Sequence, residues 1–148
     1  MLTPAALARA LPPNFAPTEF RKALGMFATG VTIVTARSAQ GQLIGLTANS
    51  FNSVSLTPPL VLWSLARAAG SMAAFSTGSH YAINILSADQ QNLARQFAAR
   101  DADRFAGVAF VEGACGAPLL EGAVATFECF NRSRYEECDH VIFVGEVE

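Results

Sequence analysis

Two apolar runs separated by a crowded polar segment constrain this chain more than any other feature. Leu43–Ala48 and Leu60–Leu65 read as strands, each short and bounded by turn-forming residues. From the end of the first run, Thr47-Ala48-Asn49-Ser50 leads into Phe51-Asn52-Ser53-Val54-Ser55, and Pro58-Pro59 closes the segment. Two readings follow. The segment is a Ser/Asn-rich connection solvated at a sheet end, or its backbone N–H groups and short side-chain donors form a strip for a flat, many-acceptor ligand that carries a phosphate.

The remaining pattern favours a β protein. Val31–Arg37 is rich in β-branched residues, and Ser38-Ala39-Gln40-Gly41 is a hairpin turn leading to the Leu43 run. Tyr81–Leu86, Val124–Arg134 and His140–Val147 read as further strands, the last two joined at Tyr135–Asp139. Phe20, Ala23, Leu24 and Phe27 recur at helical spacing, with Gly30 as the stop. Gly70–Gly78 and Asp89–Ala99 read as short helices, and residues 100–122 as loop. Strands of similar length with few helices predict a mainly β fold, a small antiparallel barrel. The helices do not alternate regularly enough with strands for a doubly wound sheet. Neither G-x-G-x-x-G nor a P-loop occurs.

Composition sets the bounds on function. At 148 residues the chain fits one domain: an Ala/Pro-rich arm over 1–16 and a single folded unit over 17–148. Hydrophobic residues make up 51% and charged residues 15%, so a second subunit is expected to cover apolar surface, which predicts a homodimer. Lys+Arg 10 against Asp+Glu 12 leaves no basic patch, and nucleic acid is not an expected partner. No apolar run has the length of a membrane span. The start has no signal-peptide core. Cys115, Cys129 and Cys138 are an odd count without C-x-x-C spacing, which predicts free thiols in a reducing, cytoplasmic setting. With only His80 and His140 as imidazoles, no metal site is expected.

Three separated motifs occur together and in order. TANSFNSVSLTPPLV begins at Thr47, FRKALGMFATGVTIVT precedes it from Phe20, and DHVIFVGEV follows from Asp139. Together they resemble the flavin reductase family, the FMN-binding split-barrel proteins that supply reduced flavin to two-component monooxygenases. The resemblance implies an antiparallel Greek-key split barrel with FMN or FAD bound at a dimer interface. It also implies NADH or NADPH as co-substrate and a flavin-dependent monooxygenase as partner.

On this resemblance Thr47, Ala48, Asn49 and Ser50 line the pyrimidine side of the isoalloxazine. Ser53, Val54 and Ser55 line the ribityl and phosphate end. Arg67 is the phosphate counter-charge, or else a solvated surface arginine. Ser71 opens a short helix and also reaches the phosphate, although Ala68-Ala69-Gly70 stands where the family commonly carries another hydroxyl. Phe105, in Asp103-Arg104-Phe105, shields an aromatic ring or anchors a loop. His140 positions nicotinamide, oriented by Asp139, or bonds across strand ends. Cys138 stands where the family commonly has glycine.

The chain ends at Glu148, whereas relatives continue through another strand, so a C-terminal segment is expected to be missing. The resulting expectation is an NAD(P)H:flavin oxidoreductase, that is, an NAD(P)H-dependent flavin reductase. The alternative is a flavin-binding carrier or storage protein without NAD(P)H activity. A pyridoxamine-phosphate-oxidase-like barrel would want a denser cationic phosphate clamp.

Overall fold

A computed structural model describes residues 10–148. Nine strands and three α-helices follow in chain order: α1 (Pro17–Leu24), β1 (Thr32–Arg37), β2 (Leu43–Ala48), β3 (Asn52–Leu56), β4 (Pro59–Ala66), α2 (Met72–Thr77), β5 (His80–Ile85), α3 (Gln91–Ala98), β6 (Phe110–Glu112), β7 (Pro118–Leu120), β8 (Ala125–Glu137) and β9 (His140–Val147). A 3-10 turn over Ala88–Gln90 leads into α3. Seven strands make one antiparallel sheet in the order β2-β1-β5-β8-β9-β4-β3, and β6 pairs with β7 beside it. This is the antiparallel split barrel expected from the sequence.

Alternation drives the core. Along β4, Val61, Trp63 and Leu65 are buried, and along β9 their ladder partners Gly145, Phe143 and Val141 are buried with them. Side chains at alternate positions share a face, so this register directs both strands inward together. Trp63 stacks on Phe143 at 4.9 Å between centroids and meets Phe75 and Tyr81 edge-on. A second cluster, with Ile33, Phe97 and Leu120 at its centre, holds α3 and the β6–β7 hairpin against β1.

Buried polar groups stitch the layers. Asn84 on β5 donates to the Ile33 carbonyl at 3.0 Å and to Thr35 Oγ1 at 3.1 Å, while its Oδ1 accepts from the Leu120 N–H at 2.9 Å. Asn131 on β8 donates to the Phe75 and Gly78 carbonyls, which satisfies the end of α2.

Four sequence expectations are corrected. The first helix ends at Leu24 with Gly25 as its cap, well before Gly30, and none of its residues is buried. Without tertiary contacts to extend it, the helix stops at the first glycine. Asn52–Leu56 is an edge strand rather than connection, because its ladder to β4 outweighs the weak strand propensity of Ser and Asn. Phe110–Glu112 and Pro118–Leu120 form a hairpin within the expected loop, held by the core beneath it. The strand expected to stop at Arg134 runs to Glu137, since Tyr135, Glu136 and Glu137 pair with Ile142, Val141 and His140. Of the arm expected over 1–16, residues 1–9 lie outside the described residues, and 10–16 form no regular element.

Candidate functional site

A hollow of about 820 Å³ opens where three segments meet. Leu46 and Thr47 of β2 and Leu65 and Ala66 at the end of β4 line it from the sheet. Ala68–Ser71, between β4 and α2, form one wall. Phe97 and Ala98 of α3, with Arg100, Asp101 and Arg104, form the other. Small residues leave the space open: Ala66, Ala68, Ala69 and Gly70 stand along one side. A smaller hollow of about 270 Å³ adjoins it over Leu43–Gly45 and Ala102–Phe105, and the two share Gly70, Ser71 and Arg104.

The wall beyond β2 is fixed by side chains that bind backbone carbonyls. Thr47 Oγ1 donates to the Ala94 carbonyl of α3 at 2.6 Å. Arg104 donates through Nε to the Ala99 carbonyl at 3.0 Å and through Nη1 to the Gly45 carbonyl at 2.8 Å. Gln96 Nε2 donates to the Arg104 and Ala106 carbonyls at 2.8 and 2.9 Å. Gly45 lets the aromatic rings approach the strand: a Cβ there would lie 2.5 Å from Phe97 Cε1 and 3.1 Å from Phe105 Cζ.

The sequence-derived candidates separate into those at the cleft and those elsewhere. Thr47 and Ser71 line the larger hollow, and Ser71 and Phe105 the smaller. Ala48 is buried in the core, and its carbonyl accepts from Thr32 Oγ1 at 2.7 Å. Asn49 is exposed, and Asn49–Phe51 belong to neither the β1–β2 nor the β3–β4 ladder. The Ser50 hydroxyl is committed to the fold. It accepts from the Ser64 N–H at 2.9 Å and donates to the Ser64 carbonyl at 3.2 Å, which ties the β2–β3 connection to β4.

Ser53, Val54 and Ser55 lie on edge strand β3 and do not line either hollow, and the ladder shifts register between Ser53 and Ser55. Arg67 turns away toward the β8–β9 hairpin, pairing with Glu136 at 3.3 Å and donating to the Cys138 carbonyl at 3.4 Å. His140 pairs across the ladder with Ala66, a cleft residue, so the two side chains share a sheet face, although His140 itself lines neither hollow. Its Nδ1 is 2.9 Å from Asp139 Oδ1, and this hydrogen bond, reinforced by the imidazole's charge, lowers the Asp139 carboxyl below its ordinary value. Cys138 sits in the turn at φ +52°, which accounts physically for a family glycine at that place.

Two cleft residues escaped the sequence reading. Arg100 and Arg104 supply the cations that Arg67 does not bring to the cleft. The signal was present in Asp103-Arg104-Phe105, but sequence could not show that Arg104 folds back on Gly45, 59 positions earlier. Among the described residues no cluster of three or more His, Cys, Asp or Glu could hold a metal ion.

A family model described as "Flavin reductase like domain" matches residues 24–148. The chain belongs to the flavin reductase family. Its relatives include the "FMN reductase (NADH) SmoA" of Agrobacterium fabrum, 48% identical over 129 residues, an alignment covering 87% of this chain and 73% of that protein. A "Probable flavin reductase" of Rhizobium meliloti is 45% identical, with 90% of this chain and 43% of that protein covered. The chain thus spans under half of one curated relative and about three quarters of the other. Among solved structures, the Streptomyces globisporus NADH:FAD oxidoreductase SgcE6, in complex with NAD and FAD fragments, superimposes with a TM-score of 0.86. It is 42% identical, and the match covers 95% of this chain and 84% of that one. The hollow bordered by Thr47, Ala66, Ala68–Ser71 and Arg104 is the candidate functional site.

Proposed function

We propose that this chain is an NAD(P)H:flavin oxidoreductase that passes reduced flavin to a separate monooxygenase. The observation that carries the reading is the cleft of about 820 Å³, walled by Ala66, Ala68, Ala69 and Gly70 and rimmed by Arg100 and Arg104. A flat tricyclic ring needs a smooth wall of small side chains, and its phosphate needs a cation within reach. The cleft offers both, so the residues present fit a flavin. Nicotinamide and flavin, when bound, would supply the hydride-transfer chemistry.

The chain's own residues bind and orient. Thr47 holds α3 against β2 and so sets the width of the cleft. Asn49 and the amides of the Asn49–Phe51 connection offer donors and acceptors to the polar edge of the ring. His140, held by Asp139 on the sheet face it shares with Ala66, would position the nicotinamide.

A homodimer completes the reading. α1 has Phe20 52% and Leu24 58% exposed, Met26 and Phe27 follow it at 81% and 79%, and Leu56 on edge strand β3 is 92% exposed. A second copy of the chain would cover these apolar surfaces. Three unpaired cysteines fit a reducing, cytoplasmic setting.

The test is aerobic NADH and NADPH oxidation with added FMN, FAD or riboflavin. Flavin-dependent oxidation of NADH or NADPH is the expected result. Flavin whose fluorescence is quenched without nicotinamide turnover would instead identify a carrier. No spectral change with folded protein would remove both. In His140→Ala, a raised KM for nicotinamide with unchanged flavin affinity supports the positioning role, and equal loss of both ligands sinks it.

A further inference from the structure

Two adjoining hollows make up the cleft, and Arg104 is the one charged residue that borders both. The larger hollow lies on one side, over Leu46 and Thr47, and the smaller on the other, over Leu43–Gly45. Gly70, Ser71 and Arg104 border both. Two of the five guanidinium N–H donors are taken by the Gly45 and Ala99 carbonyls, which fixes the plane of the fork. Three donors remain at the boundary. Gln96 holds the loop from behind by donating to the Arg104 and Ala106 carbonyls, so the arginine is placed by hydrogen bonds at both its backbone and its head.

The two hollows differ in character. Exposed Arg100 borders only the larger one, with Asp101 beside it. A ligand ending in a monophosphate therefore finds a cation without crossing the boundary. The smaller hollow is lined by the apolar side chains of Leu43 and Ile44 and by Phe105. Phe105 is braced edge-on by Phe97 at 4.9 Å and Phe110 at 5.8 Å. Asp103 is the acidic residue there, and its Oδ1 is occupied by the Phe105 N–H at 3.1 Å. Apolar lining and braced aromatic ring suit a purine base, and a bidentate guanidinium at the passage suits a diphosphate.

Resting on the flavin reading above, we propose that Arg104, set in place by Gln96, makes this site selective for FAD over FMN. It binds the diphosphate as it crosses between the hollows, and Phe105 stacks the adenine beyond it. FMN, which ends at its monophosphate, uses neither residue fully.

The test is fluorescence titration of the full chain with riboflavin, FMN and FAD. The wild type should bind FAD more tightly than FMN. In Arg104→Gln the FAD Kd should rise about tenfold, as for one lost charge-assisted contact, with less than about a threefold rise for FMN. Gln96→Leu should shift the FAD-to-FMN ratio the same way by a smaller factor. Phe105→Leu, which keeps the loop's polar contacts, should weaken FAD several-fold and leave riboflavin unchanged, so the proposal stays testable if Arg104→Gln folds poorly. Equal wild-type affinities for FMN and FAD, or equal losses for both in the variants, would overturn the proposal. Failure of folded wild type to bind any of the three would overturn the flavin reading itself.

Discussion

Replacing Gly45 by alanine probes the packing that shapes the cleft. The added Cβ would lie 2.5 and 2.8 Å from Phe97 Cε1 and Cδ1 and 3.1 Å from Phe105 Cζ. Carbon atoms in contact prefer about 3.5–4.0 Å, so the Phe97 ring must retreat by roughly 1 Å. It has nowhere to go, because Phe97 is 0% exposed and already meets Phe105 at 4.9 Å. Overpacking of this kind costs about 1–3 kcal/mol. The gain from replacing a strand glycine, about 0.5–1 kcal/mol, offsets part of that. A net loss of about 1–2 kcal/mol is expected in urea unfolding at fixed protein concentration. The displaced rings also move the Gly45 carbonyl that anchors Arg104, so FAD affinity should fall with stability. Gly45→Ala combined with Phe97→Leu should cost less than the two single changes added, by at least about 1 kcal/mol, because the smaller side chain makes room for the methyl group. A stable Gly45→Ala, or strict additivity in the double variant, would refute the packing argument.

Other expectations rest on single contacts. Cys138→Gly should raise stability by about 1 kcal/mol, since φ +52° strains any residue with a Cβ, and a lowered urea midpoint would contradict it. Asn84→Ala strands the Leu120 N–H and the Ile33 carbonyl partner in the core and should cost about 2–4 kcal/mol, measured by the same unfolding. Burial pushes the Cys129 thiol from 9.0 up to about 12, so the unfolded chain loses this proton first as pH rises. Its contribution is therefore intact below pH 9 and is lost between about 9 and 12; Cys129→Ala should flatten the fall in stability over that window, and an unchanged slope would rule the thiol out.

The strands that form the barrel were legible from local pattern. Leu43–Ala48 and His140–Val147 appear in the structure with the boundaries read from sequence, because alternating or β-branched runs between turn residues leave few other ways to bury their apolar faces. The flavin reductase motifs were legible for a related reason: their residue types sit close together along the chain. What escaped the sequence depends on partners far away in it. Asn52–Leu56 looks like a polar loop until β4 provides its ladder. The sequence singles out Arg67 as the phosphate contact and passes over Arg104. The fold alone gives Glu136 to the first and aims the second across Gly45. Ser50 reads as a ligand donor until the Ser64 backbone is found beside its hydroxyl. Local sequence determines which segments become strands, since that choice rests on short-range periodicity and turn chemistry. Which polar side chains are used up inside the fold, and which remain for a ligand, is decided only by tertiary structure, because hydrogen bonds and ion pairs are settled by distances that chain closure creates.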